Sequence, residues 1–224
     1  LGDPEKFSIA VTSANQGDGK TFNAANISVP FSWEGKRVLL IDGDLRKSSL
    51  TRSLLGKVAD KGLADWLKVP TVNVRDYIVR IDRENLSILP AGEFCDSLPE
   101  LFRVQEMRAL IQDLYSDYDV VILDTAPVTI LSETILQCRA ADGILLMADE
   151  MSSSRDFQNS MNELRGVRVL GFCINGVDYS KSSSPYGYRP YGYYGHADYG
   201  IGTDRGKTEK GRHFGRRGGA KSKV

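Results

Sequence analysis

Cysteine and histidine are scarce in this chain, with three and two among 224 residues. Cys95, Cys138 and Cys173 are odd in number and lack metal-ligand spacing, which excludes a disulfide framework and a zinc module. They fit a reducing cytoplasm, with buried or idle thiols. His196 and His213 fall near the carboxyl end with no third ligand beside them, so a histidine metal site is not expected. No apolar run approaches the roughly 20 residues that span a bilayer, and no signal peptide is visible. The formal net charge is zero. That neutrality is uneven, however. Ile201–Val224 holds eight Lys/Arg against two acids, a net of +6, so the rest of the chain carries −6. The basic end suits an anionic surface, or simply keeps a tail soluble.

What is present is an alternation. Phe7–Thr12, Arg37–Ile41, Leu86–Leu89, Asp119–Leu123, Gly143–Met147 and Val167–Ile174 are short apolar runs that predict buried strands. Thr21–Trp33, Pro99–Ser116, Ile130–Ala140 and Ser153–Arg165 predict helices between them. Near-continuous apolar strands alternating with helices predict an α/β fold with a doubly wound, mostly parallel sheet. Trp33 and Trp66 stand in apolar helical contexts and are expected in the core. Beyond Asp178 the composition changes. Tyr179–Gly200 carries seven of the ten tyrosines among Gly, Ser and Pro, with almost no aliphatic residues to bury. The expected organisation is therefore a domain over Leu1–Asp178 and a disordered tail over Tyr179–Val224.

Three motifs carry chemistry. Ala14-Asn15-Gln16-Gly17-Asp18-Gly19-Lys20-Thr21 follows a predicted strand and opens a predicted helix, the context a P-loop requires. Its glycines let backbone N–H groups turn toward phosphate oxygens, Lys20 reaches the β- and γ-phosphates, and the Thr21 hydroxyl binds Mg²⁺. ATP and Mg²⁺ are thus the expected ligands. The second motif is a strand ending in Asp42-Gly43-Asp44-Leu45-Arg46, and the third a strand ending in Asp124-Thr125-Ala126-Pro127. Ligands gather at the carboxyl ends of parallel strands, so all three acids can meet the nucleotide. Asp44 and Asp124 are assigned to Mg²⁺, and Asp42 to accepting a proton from an attacking hydroxyl. Arg46 either steadies phosphate charge or ties down its loop. Capping of the following helices is the competing role for each acid.

Together with the tyrosine-rich end, these motifs resemble the bacterial tyrosine kinases (BY-kinases) of capsular and exopolysaccharide synthesis. The resemblance runs from about Phe7 to the tyrosine cluster. Leu89-Pro90-Ala91-Gly92, Leu98-Pro99-Glu100-Leu101 and Ile174-Asn175-Gly176-Val177 resemble further family segments. The loop has Asn15 where the partition ATPases carry an extra lysine, which separates it from them. The resemblance implies a P-loop NTPase fold, adenine contact by Asn175, and autophosphorylation of the tail at Tyr186, Tyr188, Tyr191, Tyr193, Tyr194 and Tyr199. It implies a homo-oligomeric ring at the inner face of the plasma membrane. Its implied partners are a membrane polysaccharide co-polymerase, separate or fused upstream, and a tyrosine phosphatase. No specific nucleic acid is implied. The alternatives are a switch ATPase of the partition or septum-site type and a non-catalytic ATP-binding adaptor of an export complex.

Overall fold

The computed structural model describes residues 5–81, 85–94 and 101–177. Seven strands form one sheet: β1 Phe7–Ser13, β2 Val38–Asp42, β3 Val79–Arg80, β4 Leu86–Leu89, β5 Val120–Asp124, β6 Gly143–Asp149 and β7 Val169–Asn175. Their spatial order is β3-β4-β2-β5-β1-β6-β7. Every pairing is parallel except the short edge contact of β3 with β4, where Val79 faces Ile88. The strand order turns outward in both directions from β1, so crossovers place helices on both faces.

The residues of β2 show why the sheet is covered twice. Successive side chains alternate between faces, and Leu39 and Ile41 join one core cluster while Val38 and Leu40 join the other. The first cluster packs Met107, Leu110, Ile111 and Leu114 of α4 (Val104–Leu114) against the sheet. The second packs Ala24 of α1 (Lys20–Trp33) and Leu50 of α2 (Ser49–Leu55). The other helices given full bounds among the described residues are α3 (Leu63–Lys68), α5 (Ser132–Ala140) and α6 (Ser154–Glu163), with a 3₁₀ turn at Val74–Tyr77.

All six expected strands are present, displaced by at most two residues at an end, and the expected fold is the one observed. The four expected helices are present too, although the first two residues expected in α4, Pro99 and Glu100, lie outside the described residues, as does Cys95. Of the other two thiols, Cys138 is buried and Cys173 half-buried. Placing Trp33 in the core needs correction. Trp66 is buried, but Trp33 is 66% exposed. The buried stripe of α1 is Lys20, Ala24, Ser28 and Ser32, one residue every four. Trp33, one position past Ser32, is rotated by about 100° away from the sheet. Small residues in that stripe let α1 lie close to the strands and aim its first turn at the sheet edge.

Candidate functional site

The loop from Ala14 to Gly19 joins the carboxyl end of β1 to α1. Gly17 and Gly19 adopt φ of +97° and +89°, a left-handed backbone that favours glycine. Side chains fasten the rest of the loop. Ser13 Oγ donates to the Asn15 carbonyl at 2.6 Å, and Asp18 accepts from the Asn15 N–H at 2.9 Å. The Asn15 amide donates to Asp156 of α6 at 3.3 Å. No side chain caps the start of α1, so its first amides and its positive dipole end face the loop, an arrangement suited to an anion.

Lys20 is buried, and its ammonium group donates to Ser13 Oγ at 3.0 Å and to the Asn15 carbonyl at 3.4 Å. Burial pulls its pKa down, and Asp124, Asp18 and Asp44 work against that pull. A desolvated cation with only neutral hydrogen-bond partners is fitted to receive phosphate oxygens.

Asp42 and Asp124 end adjacent parallel strands and stand opposite each other in register. Both are fully buried. Asp42 Oδ2 accepts from the Thr51 N–H at 2.8 Å and from its hydroxyl at 2.6 Å. Thr51 lies in the first turn of α2, so this oxygen performs the capping role weighed against a catalytic one. The Thr51 hydroxyl also accepts from the Ala91 N–H at 3.0 Å, which locks the carboxylate against the loop after β4. Asp42 Oδ1 and both oxygens of Asp124 have no hydrogen-bond partner among the described residues. Burial raises Asp42 to about 6, partly opposed by Thr51. Burial and then the Asp42 charge raise Asp124 to about 8. The Thr21 side chain is near enough to lower Asp124 somewhat, without completing a hydrogen bond of good geometry.

Buried acceptor oxygens without donors call for a missing positive partner. Among the described residues no three His, Cys, Asp or Glu side chains are arranged to hold a metal alone. Mg²⁺ characteristically takes one or two carboxylates and completes its shell with water and substrate phosphates. Asp124, Asp44 and the Thr21 hydroxyl fit that pattern.

Asp44 accepts from the Lys47 N–H at 3.2 Å, which shapes the turn into α2. Arg46 contacts Glu133 at 3.5 Å, and its guanidinium lies 5.0 Å from the Phe94 ring centre. Of the two roles expected for Arg46, these contacts express the loop-tying one. Asn175 closes the other side of the loop, since a side chain at Gly19 would collide with the Asn175 amide. The structure therefore brings Ala14–Thr21, Asp42, Asp44, Asp124 and Asn175 to one sheet edge. Tyr186, Tyr188, Tyr191, Tyr193, Tyr194 and Tyr199 lie outside the described residues, as do His196 and His213.

Sequence reasoning missed two supports. One is Thr51. The other is Gln137 of α5, whose buried amide donates to the Gly43 carbonyl at 3.0 Å. The Gly43 N–H donates in turn to the Asp124 carbonyl at 2.7 Å. A side chain at Gly43 would strike Gln137 and Asp124, so glycine between Asp42 and Asp44 is a packing requirement. That glycine was the available signal, because a glycine inside a strand-end motif marks a close approach.

Comparison with known proteins adds the chemistry. A family described as an AAA domain matches residues 7–161. The tyrosine-protein kinase YwqD of Bacillus subtilis (strain 168) is 30% identical over 190 residues, covering 83% of this chain and 78% of that protein. The chain belongs to the bacterial tyrosine-protein kinase family. Among solved structures, the kinase domain of the Escherichia coli tyrosine kinase ETK superposes with a TM-score of 0.73 at 26% identity, over 86% of this chain and 74% of that one. The septum site-determining protein MinD from Pyrococcus horikoshii OT3, complexed with Mg-ADP, gives a TM-score of 0.66 at 25% identity, over 81% and 75%. The fold of this family member is thus the P-loop NTPase fold, and its Gly-rich loop is a nucleotide-binding P-loop. No helix among the described residues is long and apolar enough to cross a membrane.

Proposed function

We propose that this chain is the tyrosine autokinase of a capsule or exopolysaccharide system, transferring the γ-phosphoryl group of ATP to tyrosine hydroxyls. The observation that carries this reading is the register-matched pair Asp42 and Asp124, with orphaned oxygens beside the buried Lys20 and the P-loop. A nucleotide-binding loop needs one strand-end carboxylate for Mg²⁺; the second is available for proton transfer.

In this reading the P-loop amides and Lys20 hold the triphosphate, with Asn175 beside the loop on the adenine side. Asp124, Asp44 and Thr21 would hold Mg²⁺, which would supply charge neutralisation to the phosphates. Asp42 Oδ1 accepts the tyrosine proton while the phenolic oxygen forms the new bond to the γ-phosphorus. The bond from that phosphorus to the β–γ bridging oxygen breaks, and ADP leaves with the electron pair. Thr51 holds Asp42 through its other oxygen, so the base keeps its position. Residues 1–178 form the kinase domain and residues 179–224 carry the acceptors. The partners are a membrane polysaccharide co-polymerase, further copies of the chain in a ring, and a tyrosine phosphatase, all at the cytoplasmic face of the membrane. Each phosphate adds about −1.5 to −2 charges, and repulsion from an acidic body is the physical route by which phosphorylation would loosen the ring.

Incubation with ATP and Mg²⁺ followed by mass spectrometry tests the proposal. Phosphotyrosine is expected on the peptides carrying Tyr186 to Tyr199. ATP hydrolysis without any phosphotyrosine would instead favour a switch ATPase.

A further inference from the structure

The amino ends of β1, β5, β6 and β7 form the opposite edge of the sheet, about 20 Å from the P-loop along the seven residues of β1. Two open cavities lie at that edge, of about 510 and 600 Å³. They share Arg108, Gln112 and Asp142 and so form one groove. Lys6 precedes β1, Arg139 lies in the last turn of α5, Arg168 precedes β7, and Arg108 projects from α4; all four cations line it.

Among the described residues the single acid in this lining is Asp142, and it already has partners. Its Oδ2 accepts from the Ser8 N–H at 2.8 Å, the Ser8 hydroxyl at 2.9 Å and the Tyr115 hydroxyl at 2.6 Å. Burial and the Asp142 carboxylate hold Tyr115 protonated well above its ordinary range. Lys6 donates to the Tyr115 carbonyl at 2.8 Å, and Arg108 to the Arg139 carbonyl at 2.5 Å. One N–H of Arg108 is used in this way, and four of the five guanidinium donors remain. Neither Arg139 nor Arg168 is paired with an acid among the described residues. The remainder of the chain outside residues 201–224 carries −6, so Arg108, Arg139 and Arg168 gathered around one occupied carboxylate make a local reversal of sign.

We propose that this groove binds a phosphate-bearing ligand, with Arg108, Arg139 and Arg168 on the phosphate oxygens. Guanidinium forks match phosphate geometry and hold it through paired charge-assisted hydrogen bonds. Ile111, Ala140 and Val167 give the groove apolar walls for the organic part of the ligand. The distance from the P-loop means that nucleotide and groove ligand do not compete. The phosphate can come from a free monoester or from a lipid headgroup, and the two are separable.

The test uses the full chain with its nucleotide site saturated by ADP and Mg²⁺. One arm titrates sn-glycerol 3-phosphate by calorimetry. The other measures co-sedimentation with phosphatidylcholine vesicles containing phosphatidic acid, with pure phosphatidylcholine as control. Arg139→Ala and Arg168→Ala, both at exposed positions, are compared with wild type, and residues 201–224 contribute the same background to each. A free ligand is supported if glycerol 3-phosphate binds and each substitution weakens it about tenfold. A headgroup is supported if only vesicle binding is present and falls by the same factor. Absence of binding in both arms, or binding that neither substitution alters, overturns the proposal.

Discussion

Lys20→Met is expected to lower phosphotyrosine formation by about 10³-fold, the scale on which an aligned cation at a transferring phosphoryl group acts. The position of the ammonium group decides this effect. Its hydrogen bonds go to the Ser13 hydroxyl and the Asn15 carbonyl, both neutral. Burial already disfavours its charge, and only the acids around it hold the proton in place. Such a group gains most when a polyanion arrives. Methionine fills the same channel with an unbranched side chain and carries no charge, so the unliganded fold should keep its melting temperature within a few degrees. What should shrink is the upward shift of that temperature on adding ATP and Mg²⁺, because ligand stabilisation scales with RT ln(1 + [L]/Kd). Phosphotyrosine blotting and a thermal shift series, wild type beside the variant, check both. Undiminished phosphotyrosine in Lys20→Met would mean that phosphate transfer takes place away from this loop.

The same residues show how much of the site sequence reading reaches. The P-loop, the paired strand ends and the sheet were legible because each leaves a local signal: a glycine pattern between strand and helix, an acid after an apolar run, a period of two or none. The contacts between motifs leave no such signal. Thr51 lies nine positions from Asp42 and Gln137 ninety-four from Gly43, and nothing near either residue announces the bond. Short elements were lost for a related reason. The seven residues of α2 and six of α3 give less than two turns each, too few for a helical period to stand out. The antiparallel edge strand β3 has two residues, both exposed, and therefore no apolar run. Trp33 failed because a predicted helix was credited with a wide apolar face, whereas α1 packs on a narrow line of small side chains.

Asp42→Asn should reduce phosphotyrosine formation by about 10²- to 10⁴-fold, the range for a lost general base, while ATP affinity stays within a few fold. The amide is nearly isosteric, and its carbonyl can still accept the Thr51 N–H and hydroxyl that Asp42 Oδ2 accepts. Stability should change in a pH-dependent way that a merely local lesion would not produce. In the metal-free, nucleotide-free wild type, Asp42 titrates near 6 and Asp124 near 8, both above the ordinary 3.8. The folded state therefore holds more protons than the unfolded chain from about pH 4 upward, and linkage makes stability fall with rising pH. The fall due to Asp42 is complete just above pH 6, and that due to Asp124 just above pH 8. Asparagine removes the first and, by deleting a like charge opposite Asp124, brings the second to lower pH and reduces it. Urea denaturation midpoints in EDTA at pH 5 and pH 8.5 should thus separate widely for wild type and narrowly for the variant, with the variant the more stable protein at pH 8.5. Parallel pH curves would mean that the two carboxylates do not sense each other. Kinase activity retained by Asp42→Asn would move the base elsewhere. Loss of phosphotyrosine with ATP binding and hydrolysis intact would tie Asp42 to the acceptor tyrosine rather than to the nucleotide.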